Sequence, residues 1–515
     1  MKRGVSKHFV TSLDVLLAAQ RGDSTLEVAE GVHVTPGALK LAGELGVDIA
    51  QQNSGRAVVS GRSERFLDLL IRDGIVVIPG TGPLKTDVGI KDGRIASLGQ
   101  GVGLTAARTI DARGLYVFPG IVDPHVHLGL FAPLEEELRT ETRSALIGGV
   151  TTVGWFVSSP GSYLEQFPSI VDAVSRLSAV DVIPHLVLTE ENHLAELPAY
   201  VRDLGVTSFK VYMAGIPGII ESADDGFIYG ALKAGGREGK GTVICIHAEN
   251  PSLIERETAR LKDLTGDMDA KDWADTRPGF GEEEAIRRAS FLAARAGGRP
   301  YFVHVSSREG ANAVRTLKGD GLCLYAETTS PYLTLGGARV RDEFLKMVPP
   351  IRGTRDAESL WRGVVDGVFD AIGTDNVTMT LAEKKASQGV REALPGYPAL
   401  ATHLPSLLSE GVNKRGISVS RIVEMTSSGP AKVFGVFPEK GAILPGSDAD
   451  LVLVDLQRAR EVRAPELLSR SDFSLFEGSV LKGWPVMTIK SGRIVMQDGQ
   501  LTPESESMNC RVLLR

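Results

Sequence analysis

The run GIVDPHVHLG, residues 120–129, places two histidines two positions apart in an apolar stretch with glycine at either end. On a β-strand this spacing turns His125 and His127 to one face and Val126 to the other. Two imidazoles on one strand face are either a hydrogen-bonded pair or two donors aimed at one ion.

Working outward, seven more apolar runs follow: GVTTVGWF (149–156), DVIPHLVL (181–188), VTSFKVYM (206–213), GTVICIHA (241–248), RPYFVHV (299–305), GLCLYAET (321–328) and VFDAIGTD (368–375). Helical stretches of roughly 10 to 20 residues separate them, and this alternation is what a parallel barrel needs. A (β/α)₈ TIM barrel is therefore expected over residues 121–435, with its active site at the C-terminal ends of the strands. No internal repeat or low-complexity tract interrupts the pattern.

Several of these runs carry a residue out of place in an apolar strand. In VTSFKVYM, alternation sends Phe209, Val211 and Met213 towards the helices and leaves Ser208, Lys210 and Tyr212 facing the barrel interior. A buried ammonium is costly unless paired, and its pKa falls. A neutral lysine amine can add CO₂, and the resulting carbamate can bridge two cations; a lysine paired with a nearby carboxylate is the alternative. His247 and His304 end the next two runs, and Asp375 ends the last, where an ionised carboxylate needs a cation or hydrogen bonds. His125, His127, Lys210, His247, His304 and Asp375 thus form a candidate ligand set for two divalent ions. Imidazole and carboxylate suit zinc first, with manganese, iron or cobalt also open.

The bulk properties are compatible with small-molecule chemistry. The chain has 515 residues, 43% of them hydrophobic, which is ordinary for a globular protein with one large domain and accessory pieces. A net charge of −7 gives no reason to expect nucleic acid or an anionic membrane as partner. Cys245, Cys323 and Cys510 are far apart and show no zinc-ribbon or CxxC spacing, so a reducing cytoplasm is the expected location. No secretory leader or membrane-spanning run is read in the sequence.

Before the barrel, LDLLIRDGIVVIP (67–79), DVGIKDGRIASLG (87–99) and TIDARGLYVFPG (109–120) read as short strands, with Asp73-Gly74 and Asp92-Gly93 as hairpin signals. The same texture returns in GSDADLVLVD (446–455) and VMTIKSGRIVMQDGQ (486–500). A composite β-sandwich of residues 63–120 plus 436–500 is expected, followed by a C-terminal tail, 501–515. Residues 1–62 read as a helical extension: Thr35 as N-cap, Pro36 in the first turn, an apolar stripe through Leu45 and a stop near Gly46. Its segment VTPGALKLAGELGVDI faintly resembles modules that dock subunits of multienzyme complexes and helical segments of some microcompartment-associated enzymes, so docking or oligomer contact is its expected role.

The order HxH, FKVYM, HAEN, HVSS and GTD resembles the cyclic amidohydrolases of the dihydropyrimidinase, hydantoinase and allantoinase group. The C-terminal stretch EGVNKRGISVSRIVEMTSSGPAKVFGVFPEKGAILPGSDADLVLVD (410–455) is similar to hydantoinases nearly throughout, and the likeness runs from about Phe66 to Gln500. The resemblance implies a binuclear metal centre and a homotetramer. It makes His125, His127 and Asp375 ligands of one metal and His247 and His304 ligands of the other, with carboxylated Lys210 bridging. It also implies a shared hydroxide as nucleophile, with Asp375 as general base and then acid, and hydrolysis of a cyclic amide, imide or ureide. Allantoinase is the second reading, on the segment MVPPIR (347–352); a non-catalytic scaffold on the same fold is the third.

The pocket departs from the resembled pattern. The tyrosine five residues after the lysine is Gly215, and Tyr212 either substitutes for it or packs in the barrel core. The arginine two positions after the second histidine of dihydroorotases is Gly129. Trp155 stands where an acidic residue is common, and Asn376 replaces a histidine. Ser330, in ETTSPYL, and Gly396, in LPGYPALATHLP, hold positions whose backbone meets substrate in the resembled enzymes. Tyr212, Ser330, Gly396 and Trp155 are accordingly the expected substrate contacts.

Overall fold

The structure, a computed structural model, describes residues 66–99, 105–216, 218–239, 241–262, 268–336 and 342–515, together with short pieces between residues 9 and 52. Eight strands form the barrel: β1 (Ile121–His127), β2 (Val150–Val157), β3 (Asp181–Val187), β4 (Ser208–Tyr212), β5 (Val243–His247), β6 (Pro300–Phe302), β7 (Tyr325–Thr329) and β8 (Ala371–Gly373). Each pairs in parallel with the next. A short continuation past β8, Asn376–Val377, pairs in parallel with β1 and closes the ring.

The strand side chains sort by parity, except in β1, where a register shift between Asp123 and Val126 interrupts the alternation. Val126, Val153, Phe209, Val211, Ile244 and Ile246 join the core between barrel and helices, while Val122, Phe156, Ile183, Tyr212, Cys245 and Tyr301 fill the barrel interior. Burying strands on both faces produces near-continuous apolar runs. The helices between them begin on ordinary caps: Asp224 accepts from Phe227 N, and Ser307 from Gly310 N.

A second sheet of nine strands draws on both sides of the barrel in sequence. Its joint is the strand Leu451–Glu461, antiparallel to Tyr116–Pro119 with Leu451 opposite Pro119 and Val454 opposite Tyr116. Leu69, Ile71, Val76, Leu451, Leu453 and Ile489 share its core. Asp92-Gly93 makes the expected hairpin turn between Gly82–Lys91 and Arg94–Leu98. Asp73-Gly74 does not: it is a bulge inside the single strand Leu67–Ile78, where Asp73, at φ 59°, donates its N–H to Asp87.

Sheet and barrel are joined by buried charges. Lys440 Nζ reaches Asp448 at 2.8 Å and Asp450 at 2.7 Å and also meets Asp181 at the start of β3; Lys490 Nζ reaches Asp181 at 2.7 Å. The three carboxylates could hold a cation, but two ammonium groups already fill that role. The C-terminal tail runs along the same end: Arg511 N donates to Asp181, and Leu513 N to Val182 O.

The N-terminal extension is not purely helical. Thr25–Ala29 pairs in parallel with Asp48–Gln52, and Phe9–Val10 with His33–Val34. Leu26 and Val28, on one face of their strand, share a small core with Val15, Ala18, Ala42 and Val47. Period-two alternation in Thr25–Ala29 makes a strand within a segment expected to be helical. The predicted Thr35–Gly46 helix lies outside the described residues except at Ala42 and Gly43, which are helical. Among the described residues, no helix is long and apolar enough to cross a membrane.

Candidate metal centre

All six residues singled out as ligands are buried or nearly so at the C-terminal ends of barrel strands, and five of them, His127, Lys210, His247, His304 and Asp375, line one cavity. On the first side, Asp375 Oδ1 lies 3.1 Å from His125 Nε2 and 3.3 Å from His127 Nε2, and the two ring nitrogens are 3.3 Å apart. Asp375 is held by backbone rather than strand geometry. It sits at φ 56° in the break between β8 and its continuation, and its N–H donates to His125 O at 3.0 Å. Next to it, Thr374 donates its N–H and its hydroxyl to the buried Asp123 at 3.1 and 2.6 Å.

On the other side, His247 Nδ1 faces His304 Nε2 at 3.0 Å. His304 follows β6 at φ 41°. The imidazoles of His125 and His304 stack with centroids 5.2 Å apart, so the two groups adjoin.

Partners behind the rings set which nitrogens face inward. His125 Nδ1 meets Glu327, which also accepts the His304 N–H at 3.1 Å and the Tyr301 hydroxyl at 2.6 Å. His247 Nε2 meets Glu249 at 2.8 Å, and Arg277 holds Glu249 from behind. Burial alone would raise the Glu249 carboxyl, but Arg277 and His247 bring it down to about 2. In the neutral rings of His125 and His247, whose outer nitrogens donate to carboxylates, the inner nitrogen presents a lone pair towards the facing nitrogen of His127 or His304. Such an arrangement repels unless a proton or a cation sits between the nitrogens.

Lys210 lies in the same cavity, fully buried, and its Nζ has no hydrogen-bond partner. It packs 4.6 Å from the Phe156 ring and 4.8 Å from the Tyr212 ring. Burial pulls its pKa down to about 8, with Cys245 and Asp375 opposing. His304 Nδ1 and Asp375 Oδ2 are likewise buried without partners. Unsatisfied buried polar atoms are costly, and here three of them belong to residues of one cluster of nitrogen and oxygen donors. The donor set therefore fits divalent cations.

The four expected substrate contacts fare differently. Tyr212 lines the cavity, stacked on His247 at 5.5 Å. Trp155 does not: it belongs to the core beneath the helices and donates to Leu128 O, and its neighbour Phe156 takes the inward place. Ser330 is buried with its hydroxyl 2.9 Å from His403 Nδ1. Gly396 has its N–H on Lys346 O and its carbonyl on Lys384 Nζ, and the residue lining the cavity is its neighbour Pro395. Asn376 turns its side chain away, accepting from Ala399 N at 2.8 Å.

Gly215 has a steric reason. A Cβ there would lie 2.3 Å from Ile220 O and 2.7 Å from Ser222 N. Its absence lets the chain double back, with Ile216 N donating to Ile220 O, so that Ile216, Ile219 and Ile220 line the cavity where a tyrosine was expected. Leu130, Phe131, Met347, Val348 and Pro395 complete an apolar rim. Sequence reasoning missed Glu327, Glu249, Arg277 and Phe156. The available signal was a carboxylate within or just after a buried strand, in YAETT and HAEN.

Comparison with known proteins agrees with this geometry. Residues 116–495 match the Amidohydrolase family. The L-hydantoinase of Paenarthrobacter aurescens is 31% identical over 444 residues, covering 83% of this chain and 94% of that protein. The D-hydantoinase of Geobacillus stearothermophilus is 33% identical over 446 residues, covering 84% and 93%. Among solved structures, a D-hydantoinase superposes with a TM-score of 0.78 at 31% identity, covering 84% of this chain and 96% of the other. The dihydropyrimidinase from Brevibacillus agri NCHU1002 superposes with a TM-score of 0.80 at 27% identity, covering 87% and 99%. This is a barrel hydrolase with a flanking β-domain, and the chain belongs to the amidohydrolase family.

Proposed function

We propose that this protein is a metal-dependent cyclic amidohydrolase that opens a five- or six-membered amide, imide or ureide ring to an N-carbamoyl or related acid. The observation that carries the reading is the buried, unpartnered Lys210 amine in one cavity with His127, His247, His304 and Asp375. The hydantoinase and dihydropyrimidinase relatives, matched over nearly their whole lengths, support the ring substrate.

His125, His127 and Asp375 would hold one ion, and His247 and His304 the other, since each group brings its donor atoms together. Burial favours the neutral amine of Lys210, which would add through its nitrogen lone pair to the carbon of CO₂ and release one proton, giving an anionic carbamate able to serve as a ligand to both ions. When bound, two such ions, with zinc the first candidate, lower the pKa of water and polarise a carbonyl. Asp375 takes the proton of the attacking water and returns it to the departing ring nitrogen. Glu327 and Glu249 keep the His125 and His247 imidazoles in the tautomers this requires. The apolar rim excludes water from the ring. By likeness to the family the protein assembles as a homotetramer, and residues 1–62 serve contact or docking.

Metal analysis of protein purified without added metal tests the reading, together with a panel of dihydrouracil, hydantoin, allantoin, dihydroorotate and cyclic imides. About two divalent ions per chain and opening of at least one ring are expected. Metal-free protein that opens none returns the fold to a scaffold role. Deletion of residues 1–61 is expected to leave turnover per site unchanged; loss of metal in a folded protein refutes the docking role.

A further inference from the structure

Lys384 is a fully buried lysine outside the metal centre. Its Nζ donates to three backbone carbonyls: Leu394 O at 2.9 Å, Gly396 O at 2.5 Å and Lys346 O at 3.2 Å. Burial pulls its pKa down to about 7, Lys346 adds to that, and Glu343 opposes it. An ammonium kept in such a place needs compensation, and the three carbonyl dipoles provide it.

The acceptors belong to two segments that meet at the cavity. Lys346 precedes Met347 and Val348, and Leu394 and Gly396 flank Pro395; Met347, Val348 and Pro395 all line the cavity with the metal-site residues. The segments also bond directly, Gly396 N to Lys346 O at 3.0 Å. Tyr397 O accepts from Val377 N, two residues after Asp375, so this wall connects with the strand end that carries the acid. Trp273 donates to Met347 O at 2.8 Å on the same segment.

We propose that Lys384 is a positioning residue for substrate: its ammonium clasps the 346–348 segment to the 394–396 segment and so sets one wall of the ring-binding cavity. The substrate part of this inference rests on the ring-opening reading above; the clasp itself does not. Lys384 touches no ligand candidate, so its loss acts on binding and not on the metals.

Two readouts on the full-length, metal-replete protein keep the parts separate. By hydrogen exchange, Lys384→Met is expected to speed the Gly396 amide at least roughly tenfold, a loss of about 1.4 kcal/mol of local protection, while the Asp375 amide is unchanged. In kinetics on a ring the parent opens, KM is expected to rise roughly tenfold with kcat within about threefold and metal content unchanged. Lys384→Arg, which keeps donors, should restore part of the KM. Unchanged exchange in Lys384→Met overturns the clasp; faster exchange with parental KM overturns its role in binding. If the parent opens no ring, the ring-opening reading fails and exchange still decides the clasp. Should Lys384→Met not fold, Lys384→Gln is read the same way, and parental exchange and KM there overturn the proposal.

Discussion

Glu327 and His125, 202 residues apart in sequence, meet side chain to side chain in the barrel interior, and the same carboxylate oxygen accepts the backbone N–H of His304. One buried carboxylate thus orients a candidate ligand from each half of the centre. Removing it is predicted to be felt by both. Glu327→Gln should lower metal affinity roughly 10- to 100-fold, read by titration with a competing chelator. Tyr301→Phe, which deletes one donor to Glu327, should cost less than Glu327→Gln; equal metal affinity in Glu327→Gln and the parent contradicts the assignment.

Lys210 has no hydrogen-bond partner to lose, so its replacement tests the bridge itself. Lys210→Ala is expected to drop below two ions per chain and to lose turnover by roughly 100-fold or more. A short-chain carboxylic acid that fills the vacated space should restore part of the activity. Full activity in Lys210→Ala refutes the carbamate.

Gly215 is required by the close approach of Ile220 O and Ser222 N. Gly215→Tyr cannot be accommodated with the loop as it stands, so Ile216 and Ile220 must leave the cavity wall. The expected outcome is a changed order of preference across ring substituents with metal content intact. An unchanged order means that the three isoleucines do not contact substrate.

At the junction of barrel and sheet, Lys490 reaches Asp181 at 2.7 Å, and both are about 1% to 2% exposed. Lys490→Met leaves a buried carboxylate short of one cation. Destabilisation of about 3 to 5 kcal/mol is expected from such a break, measured by urea denaturation. A change below about 1 kcal/mol would place this pair with ordinary surface bridges.

Glu383 gives a pH prediction with a definite sign. The Arg470 guanidinium, bonded at 2.6 and 2.9 Å, holds the Glu383 carboxyl down at about 2 against an ordinary 4.5, with burial opposing. A carboxylate depressed in the folded state stabilises it fully above the unfolded pKa and loses that contribution as pH falls through the folded value. The urea midpoints of the parent and Glu383→Gln should therefore differ at pH 6 and converge towards pH 2. The pair is partly exposed, so the difference is small. A gap that widens on acidification has the wrong sign.

Much of the barrel was legible because its signal is local. Each of the eight apolar runs is a strand that hides both faces, and the polar intruders in them, His125, Lys210 and His247, stand out against that background. Parity placed Lys210 inward and Val126 outward because side chains alternate on any strand. In β2 the same alternation turns Phe156 into the cavity and Trp155 into the outer core, although the resemblance pointed to Trp155. At Asp73-Gly74 a turn dipeptide made a bulge, because strand pairing continued on both sides of it.

The sequence by itself determined the strand order, the six candidate ligands and the family, since these depend on residue type and spacing along the chain. Only the tertiary structure decided which carboxylates stand behind the imidazoles, that three isoleucines fold into the space opened by Gly215, and that Lys384 joins two loops. Those contacts link residues between 5 and 202 positions apart through hydrogen bonds and close packing, and no local period encodes them. Direction and distance at the site come from the closed ring of strands, in which His125 and Asp375 become neighbours through pairing that only the folded chain makes.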